Sequence, residues 1–279
     1  MSNILREHFT TNIYNNIILE SNSINIFGAE GIGKSRFIKD LDSLINEDIK
    51  VVSINLKNRR KDYNKFVDEI KKQLNITETI ISFSELLDKF ATSNEDVVLI
   101  LDNFEAIYKD NADERFDFDF FDELNSFKNR DNASLVIIST RNYNHYDFYH
   151  EGKSLTSPLD IGVMEISPLM LEEIEKELQD RFELDIDYDK LSNMIIGNER
   201  VYELMEFIDR EVKFDKFDKN ANLYMNYEKF LKQFKKENNI PILDRFLKWI
   251  SRNWGKLLAV IGIKSLISVI KSFGDKKDD

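Results

Sequence analysis

The chain has 279 residues, 42% apolar and 12% aromatic, enough to bury a core in one large domain or in a main domain with a small satellite. With 39 Lys and Arg against 51 Asp and Glu, its net charge of −12 excludes a general nucleic-acid coat. The absence of Cys excludes disulfides, thiolate zinc sites, iron–sulfur clusters and thiol nucleophiles, and three His residues (His8, His145, His150) without an HExxH leave little for a His-rich metal centre.

The N-terminal MSNILREHFTTN lacks a basic-then-apolar leader, so a cytoplasmic protein is expected. Four short runs rich in Val and Ile, at Ser23–Phe27, Ile49–Leu56, Val97–Leu101 and Leu135–Ser139, read as strands covered on both faces. Helical patterns separate them at Ser35–Ile45, Tyr63–Leu74, Ser84–Phe90 (with Ser82 or Ser84 as N-cap) and Phe116–Phe127. Strand followed by helix, repeated, predicts a parallel sheet with helices on both faces. After about residue 160 the periodicity predicts helices and no strand: one opened by Pro168, then Tyr188–Met194, Arg200–Arg210 and Tyr227–Lys235.

Residues 28–35 read GAEGIGKS, which is G-x-x-x-x-G-K-[ST] after a predicted strand and at the opening of a predicted helix. Glycines at this spacing let successive backbone N–H groups turn inward as an anion cradle, and the helix adds the positive end of its dipole. Lys34 is placed to reach the β- and γ-phosphates, and the Ser35 hydroxyl is a magnesium ligand candidate. The expected nucleotide contacts are Gly28, Ala29, Glu30, Gly31, Ile32, Gly33, Lys34 and Ser35, with Arg36 just inside the helix.

In VVLILDNFE, Asp102 falls at the carboxyl end of a buried strand, where open α/β sheets bind ligands, and it is the second magnesium candidate. Asn103 cannot act as a base. Glu105 reads equally as a water-orienting carboxylate and as a solvated first-turn acid, so hydrolysis is expected to be slow. In LVIISTR, Thr140 and Arg141 emerge at the same edge, where a hydroxyl and a guanidinium can sense a γ-phosphate. Lys34, Asp102, Glu105 and Arg141 are therefore the catalytic candidates.

These residues resemble the STAND branch of AAA-related P-loop ATPases, the circle of NB-ARC proteins, bacterial STAND regulators and archaeal-type ATPases. GAEGIGKS is similar to the family's phosphate loop, LILDNFEAI to its Walker B segment and IISTR to its sensor strand. SPLDIGVMEISPLMLEEIEKEL resembles the family's strand–Pro-Leu–helix passage into a small helical lid. IIGNERVYEL is similar to the lid segment, with Gly197, Asn198 and Arg200 matching and Glu199 where the family has proline. The resemblance implies that Arg200 is a second phosphate-sensing arginine, that ATP and Mg2+ are the cofactors, and that the chain is a conformational switch that oligomerises or engages a protein partner. A role in bacterial defence or signalling is a family-level expectation.

The expected fold is therefore α/β: a P-loop NTPase with a parallel sheet flanked by helices, then a helical lid and a C-terminal helical tail. Its expected divisions are a nucleotide-binding domain at 1–165, the lid at 166–240 and a basic amphipathic helix at 241–279. Residues 245–279 hold eight basic residues against three acids, a net +5 that leaves −17 on the rest. The segment 245–273 has a basic face, a broad apolar face and both tryptophans, Trp249 and Trp254. It reads as a helix packed on the protein, as one lying on a membrane surface (hence a peripheral place at the inner membrane), or, with Lys256 and Lys264 against it, as a span. Two other functions stay open: a DNA-handling ATPase of Orc/Cdc6-like or transposition-helper type, which the acidic body disfavours, and a membrane effector released through the tail.

Overall fold

Five strands form one parallel sheet in the order β2–β3–β4–β1–β7: β1 (Ile24–Phe27), β2 (Ile49–Asn55), β3 (Asp96–Asp102), β4 (Ala133–Ser139) and β7 (Gly162–Glu165). Between β4 and β7, β5 (Asp147–His150) and β6 (Lys153–Thr156) form a separate antiparallel pair. The helices are α1 (Glu7–Ile13), α2 (Lys34–Leu44), α3 (Tyr63–Gln73), α4 (Phe83–Ala91), α5 (Phe118–Lys128), α6 (Leu171–Arg181), α7 (Tyr188–Ile195), α8 (Val201–Lys213) and α9 (Leu223–Glu237). The structure is a computed structural model that describes residues 4–78, 82–91, 95–109, 111–150, 153–182 and 184–238. The basic helix expected at 241–279 lies outside the described residues.

The sheet is buried on both sides because the middles of its central strands, Val97–Leu101 and Leu135–Ile138, are unbroken apolar runs. In β3, Val97, Leu99 and Leu101 face a core built with α3, α4 and α5, rich in phenylalanines such as Phe66, Phe90, Phe120 and Phe127. Val98 and Ile100 face the opposite core with Ile13, Ile18, Phe37 and Leu41 from α1, the π-helical turn Tyr14–Ile18 and α2. The same parity holds in β4, where Leu135 and Ile137 face one core and Val136 and Ile138 the other. Side chains alternate across a strand, so only an unbroken apolar run fills both layers.

The reading of helices alone beyond residue 160 is corrected by β7, which pairs with β1 in the register Ile24↔Gly162 to Phe27↔Glu165. Four residues starting on glycine, with three of the four exposed, make a sheet-edge strand that leaves no buried apolar run to detect. Ser82 caps α4, its hydroxyl accepting from Glu85 N–H at 3.1 Å. Helix α6 begins at Leu171, three residues beyond Pro168, with the Glu173 carboxylate accepting from Met170 N–H at 2.8 Å.

The chain divides into two compact units, Met1–Lys216 and Phe217–Asp279. The first holds the sheet and α1–α8. In the second, Asn222 caps α9 by accepting from Met225 N–H at 2.9 Å, and Asn226 folds back on Asp218.

Candidate functional site

The loop 28–33 joins β1 to α2 at the carboxyl edge of the sheet. Gly31 and Gly33 are left-handed, at φ +78° and +95°, a conformation that costs side chains with a Cβ about 1–2 kcal/mol. The loop is supported through its carbonyls. Lys34 Nζ donates to Gly28 O (2.7 Å) and Ala29 O (2.9 Å), Glu203 N–H to Gly31 O (3.1 Å) and Arg6 Nη2 to Ile32 O (2.5 Å). The N–H groups of Ala29 to Gly33 meet no acceptor among the described residues. Gly33 caps α2 without a side-chain bond, and the first turn of α2 holds no acid. Uncovered donors over a helix N-terminus are the physical form of an anion site.

Asp102 ends β3 opposite Asn55, the last residue of β2. Its carboxylate, 6% exposed, accepts from Asn103 N–H (2.8 Å), Asn103 Nδ2 (2.8 Å) and Asn55 Nδ2 (3.1 Å). Burial pushes its pKa above the ordinary carboxylate value, and the neighbouring Glu105 adds to this. Asn103 holds the turn in the left-handed region at φ 54°, which asparagine tolerates better than most residues. The short 3₁₀ helix Phe104–Tyr108 that comes next aims Glu105 across to β4, where its carboxylate accepts from Thr140 N–H at 3.2 Å. Burial pulls the Lys34 ammonium below its usual pKa, while Glu105 and Asp102 pull it back up. Lys34, Asp102, Glu105 and Thr140 thus form one electrostatic group.

The other candidates lie around this group. Ser35 is exposed at the opening of α2, so Ser35 and Asp102 offer hard oxygen donors of the kind magnesium takes, and no cluster of three metal-ligating side chains exists among the described residues. Arg141 is exposed, while its backbone is fixed at both ends: N–H donates to Tyr146 OH (3.1 Å) and C=O accepts from Ser139 Oγ (2.5 Å). The Arg36 side chain turns towards α6, pairing with Asp40 (2.8 Å) and the buried Glu177 (2.6 Å). Arg200, at the start of α8, pairs with Glu30 of the loop (2.9 Å) and with Glu203 (2.7 Å).

Several supporting residues carry little signal in the sequence. Arg6, 3% exposed, spans from the loop to the segment between β7 and α6, its Nε donating to Ser167 O at 2.6 Å. Asn25 is wholly buried in β1, where its amide donates to Ile137 O and Ser139 Oγ and accepts from Tyr143 N–H. A polar residue within the apolar run SINIF is the trace it leaves.

Residues 19–146 match the family model for an AAA domain. The fold resembles the Aeropyrum pernix Orc1 protein solved in complex with DNA, with TM-score 0.57 and 13% identity over 92% of this chain and 78% of that one. It also resembles Cdc6p of Pyrobaculum aerophilum (TM-score 0.52, 16% identity, 77% of this chain, 65% of that one) and a Walker-type ATPase of Pyrococcus abyssi (0.52, 10%, 93% and 79%). No curated protein sequence matches the chain. Family model and fold agree: residues 19–146 belong to an AAA domain, set within a P-loop NTPase fold.

Proposed function

We propose that the protein is an ATP-dependent switch of the STAND type that binds magnesium-ATP on the loop 28–35 and hydrolyses it slowly. The observation carrying this reading is the loop itself, with five successive N–H groups that meet no acceptor among the described residues, over the start of α2 and with Lys34 beside them. Ser35 and Asp102 would hold the magnesium, whose other ligands come from phosphate oxygens and water. The ion would neutralise charge on the β- and γ-phosphates. Glu105 would orient water, with Thr140 and Arg141 reading the γ-phosphate. The lid enters because Glu203 N–H, Arg200 and Arg6 all hold the loop that receives the phosphates. A phosphate that draws on Lys34 would compete with its bonds to Gly28 O and Ala29 O, and its charge would compete with Glu30 for Arg200; the resulting shift of α8 would display or hide a surface for self-association or a protein partner.

Calorimetric titration of Lys34→Ala tests the site. Magnesium-ATP binding should be lost while the melting temperature stays within about 2 °C of the parent, as for a partly exposed cation outside the core. Parent-like ATP affinity in that variant rejects the reading.

A second reading is a DNA-handling ATPase, favoured by the likeness to Orc1 in complex with DNA. The −17 charge of residues 1–244 opposes it, and the +5 segment 245–279 is where a phosphate backbone would be met. Filter binding at two salt concentrations, with and without residues 245–279, separates the two. A steep salt-dependent affinity lost on truncation favours DNA. Among the described residues no helix is long and apolar enough to cross a membrane. Liposome flotation of the same two proteins tests the membrane role of the tail.

A further inference from the structure

The phenol of Tyr146 ties the connection after β4 back to the end of that strand. Its oxygen lies 2.8 Å from Thr140 Oγ1 and accepts Arg141 N–H at 3.1 Å. Its ring stacks on Tyr108 (5.0 Å between centroids, 17° between planes), which stacks in turn on Phe121 of α5 (5.9 Å, 26°). Tyr108 ends the 3₁₀ helix that carries Glu105, so one aromatic column spans the acidic turn and the sensor-strand end. Tyr146 is also the residue before β5.

The donors and acceptors can be counted. Burial raises the phenol's pKa, so it stays protonated, with one hydrogen to give. Its oxygen already accepts Arg141 N–H, and a phenol is a stronger donor than an aliphatic hydroxyl. The phenol hydrogen therefore goes to Thr140 Oγ1. Glu105 takes Thr140 N–H, so with the phenol hydrogen on Oγ1 the Thr140 hydroxyl keeps its own hydrogen for a further acceptor. A hydroxyl whose lone pair is already occupied acts as a donor, suited to an anionic oxygen.

We propose that Tyr146 is a positioning residue that makes Thr140 an obligate donor to a terminal phosphate oxygen, so that the site prefers a nucleoside triphosphate to the diphosphate. This rests on the phosphate-site reading above. Tyr146 does not touch the nucleotide. It acts through Thr140 and through the Arg141 backbone, and because it leads into β5 it also ties that preference to the β5–β6 pair.

The test is Tyr146→Phe in the full chain, which removes the oxygen and keeps the stack on Tyr108. Affinities for ADP and for a non-hydrolysable ATP analogue are measured by calorimetry with magnesium, beside the melting temperature. The triphosphate affinity should fall about tenfold, the loss of one hydrogen bond to a charged oxygen, with ADP affinity and melting temperature unchanged. Thr140→Val should show the same loss, and adding Tyr146→Phe to it should cost nothing more. An unchanged triphosphate-to-diphosphate ratio overturns the proposal, as does an equal fall for both nucleotides or strict additivity in the double variant. A parent protein that binds neither nucleotide overturns the phosphate-site reading, and the proposal with it.

Discussion

The main-chain N–H of Glu203 donates to the carbonyl of Gly31 at 3.1 Å, so the first turn of α8 is hydrogen-bonded directly to the phosphate loop. The contact requires glycine twice over. Gly31 sits at φ +78°, and a Cβ there would lie 2.5 Å from Arg200 Cβ and 2.7 Å from Glu203 Oε2. Gly31→Ala should therefore push α8 off the loop at a cost of about 1–3 kcal/mol. Hydrogen exchange at residues 200–206 should accelerate in the variant while exchange in β3 and β4 stays at parent rates. Unchanged protection of the Glu203 amide would show that the lid is not held here.

Glu30 sets a negative charge where phosphate is expected, and its side chain is 77% exposed beside Arg200. An ion pair this exposed contributes about 0–1 kcal/mol, so Glu30→Gln should leave stability nearly unchanged. Nucleotide affinity should rise about two- to fivefold at low salt through lost repulsion, and the gain should shrink at high salt. Calorimetry at two ionic strengths reads both effects. A fall in affinity would mean that Glu30 assists binding by holding Arg200 in place.

Asp102 illustrates the stability cost of a buried carboxylate. Burial holds its folded-state pKa above the ordinary value of about 3.9. The native state therefore binds the proton more tightly than the unfolded chain. The stabilising contribution is present below the ordinary carboxylate range and is lost as pH rises through the folded pKa. At neutral pH the ionised group costs stability. In Asp102→Asn the Asn103 amide can flip to match, while Asn55 Oδ1 stays on Lys57 N–H at 3.1 Å and its Nδ2 loses an acceptor; the variant should still melt about 1–2 °C higher at pH 7, and the gain should vanish towards pH 4. In the same variant any magnesium dependence of nucleotide binding should weaken, and its full retention would remove Asp102 from the metal site.

The central strands were legible because Val97–Leu101 and Leu135–Ser139 are apolar at nearly every position, a pattern that only a doubly covered strand requires. The glycines of the loop 28–33 were legible because Gly33 is left-handed at φ +95° and a Cβ at Gly28 would meet the side chains of Ile32 and Ile166. Strand β7 was hidden because an exposed edge strand needs no apolar pattern, and α1 because HFTTNIYNN buries Thr10 and Ile13 behind a polar surface. Long-range polar pairings were equally hidden. Nothing local marks Arg6 as the residue that bonds Ile32 and Ser167, since its partners lie 26 and 161 positions away. Arg200 was singled out only through a resemblance, and its pairing with Glu30 depends on the tertiary approach of α8 to the loop.

Asn25 joins β1, the strand before the loop 28–33, to the turn after β4. Its amide makes three hydrogen bonds in a fully buried position: to Ile137 O at 3.1 Å, to Ser139 Oγ at 2.9 Å and from Tyr143 N–H at 3.0 Å. Replacing it by leucine, of similar size, leaves Tyr143 N–H without its acceptor in a dry core. An orphaned buried donor costs about 1–3 kcal/mol, and with two further bonds gone Asn25→Leu should lose about 2–4 kcal/mol of unfolding free energy. Urea denaturation followed by circular dichroism reads this as a lower midpoint at unchanged slope. Asn25→Asp should fare no better near neutral pH, since a carboxylate would accept Tyr143 N–H while setting an uncompensated charge against Ile137 O. It should recover part of the loss as pH falls and the acid can donate. If Asn25→Leu unfolded at the parent midpoint, the network from β1 to Tyr143 would contribute nothing to holding the sensor-strand end beside the loop.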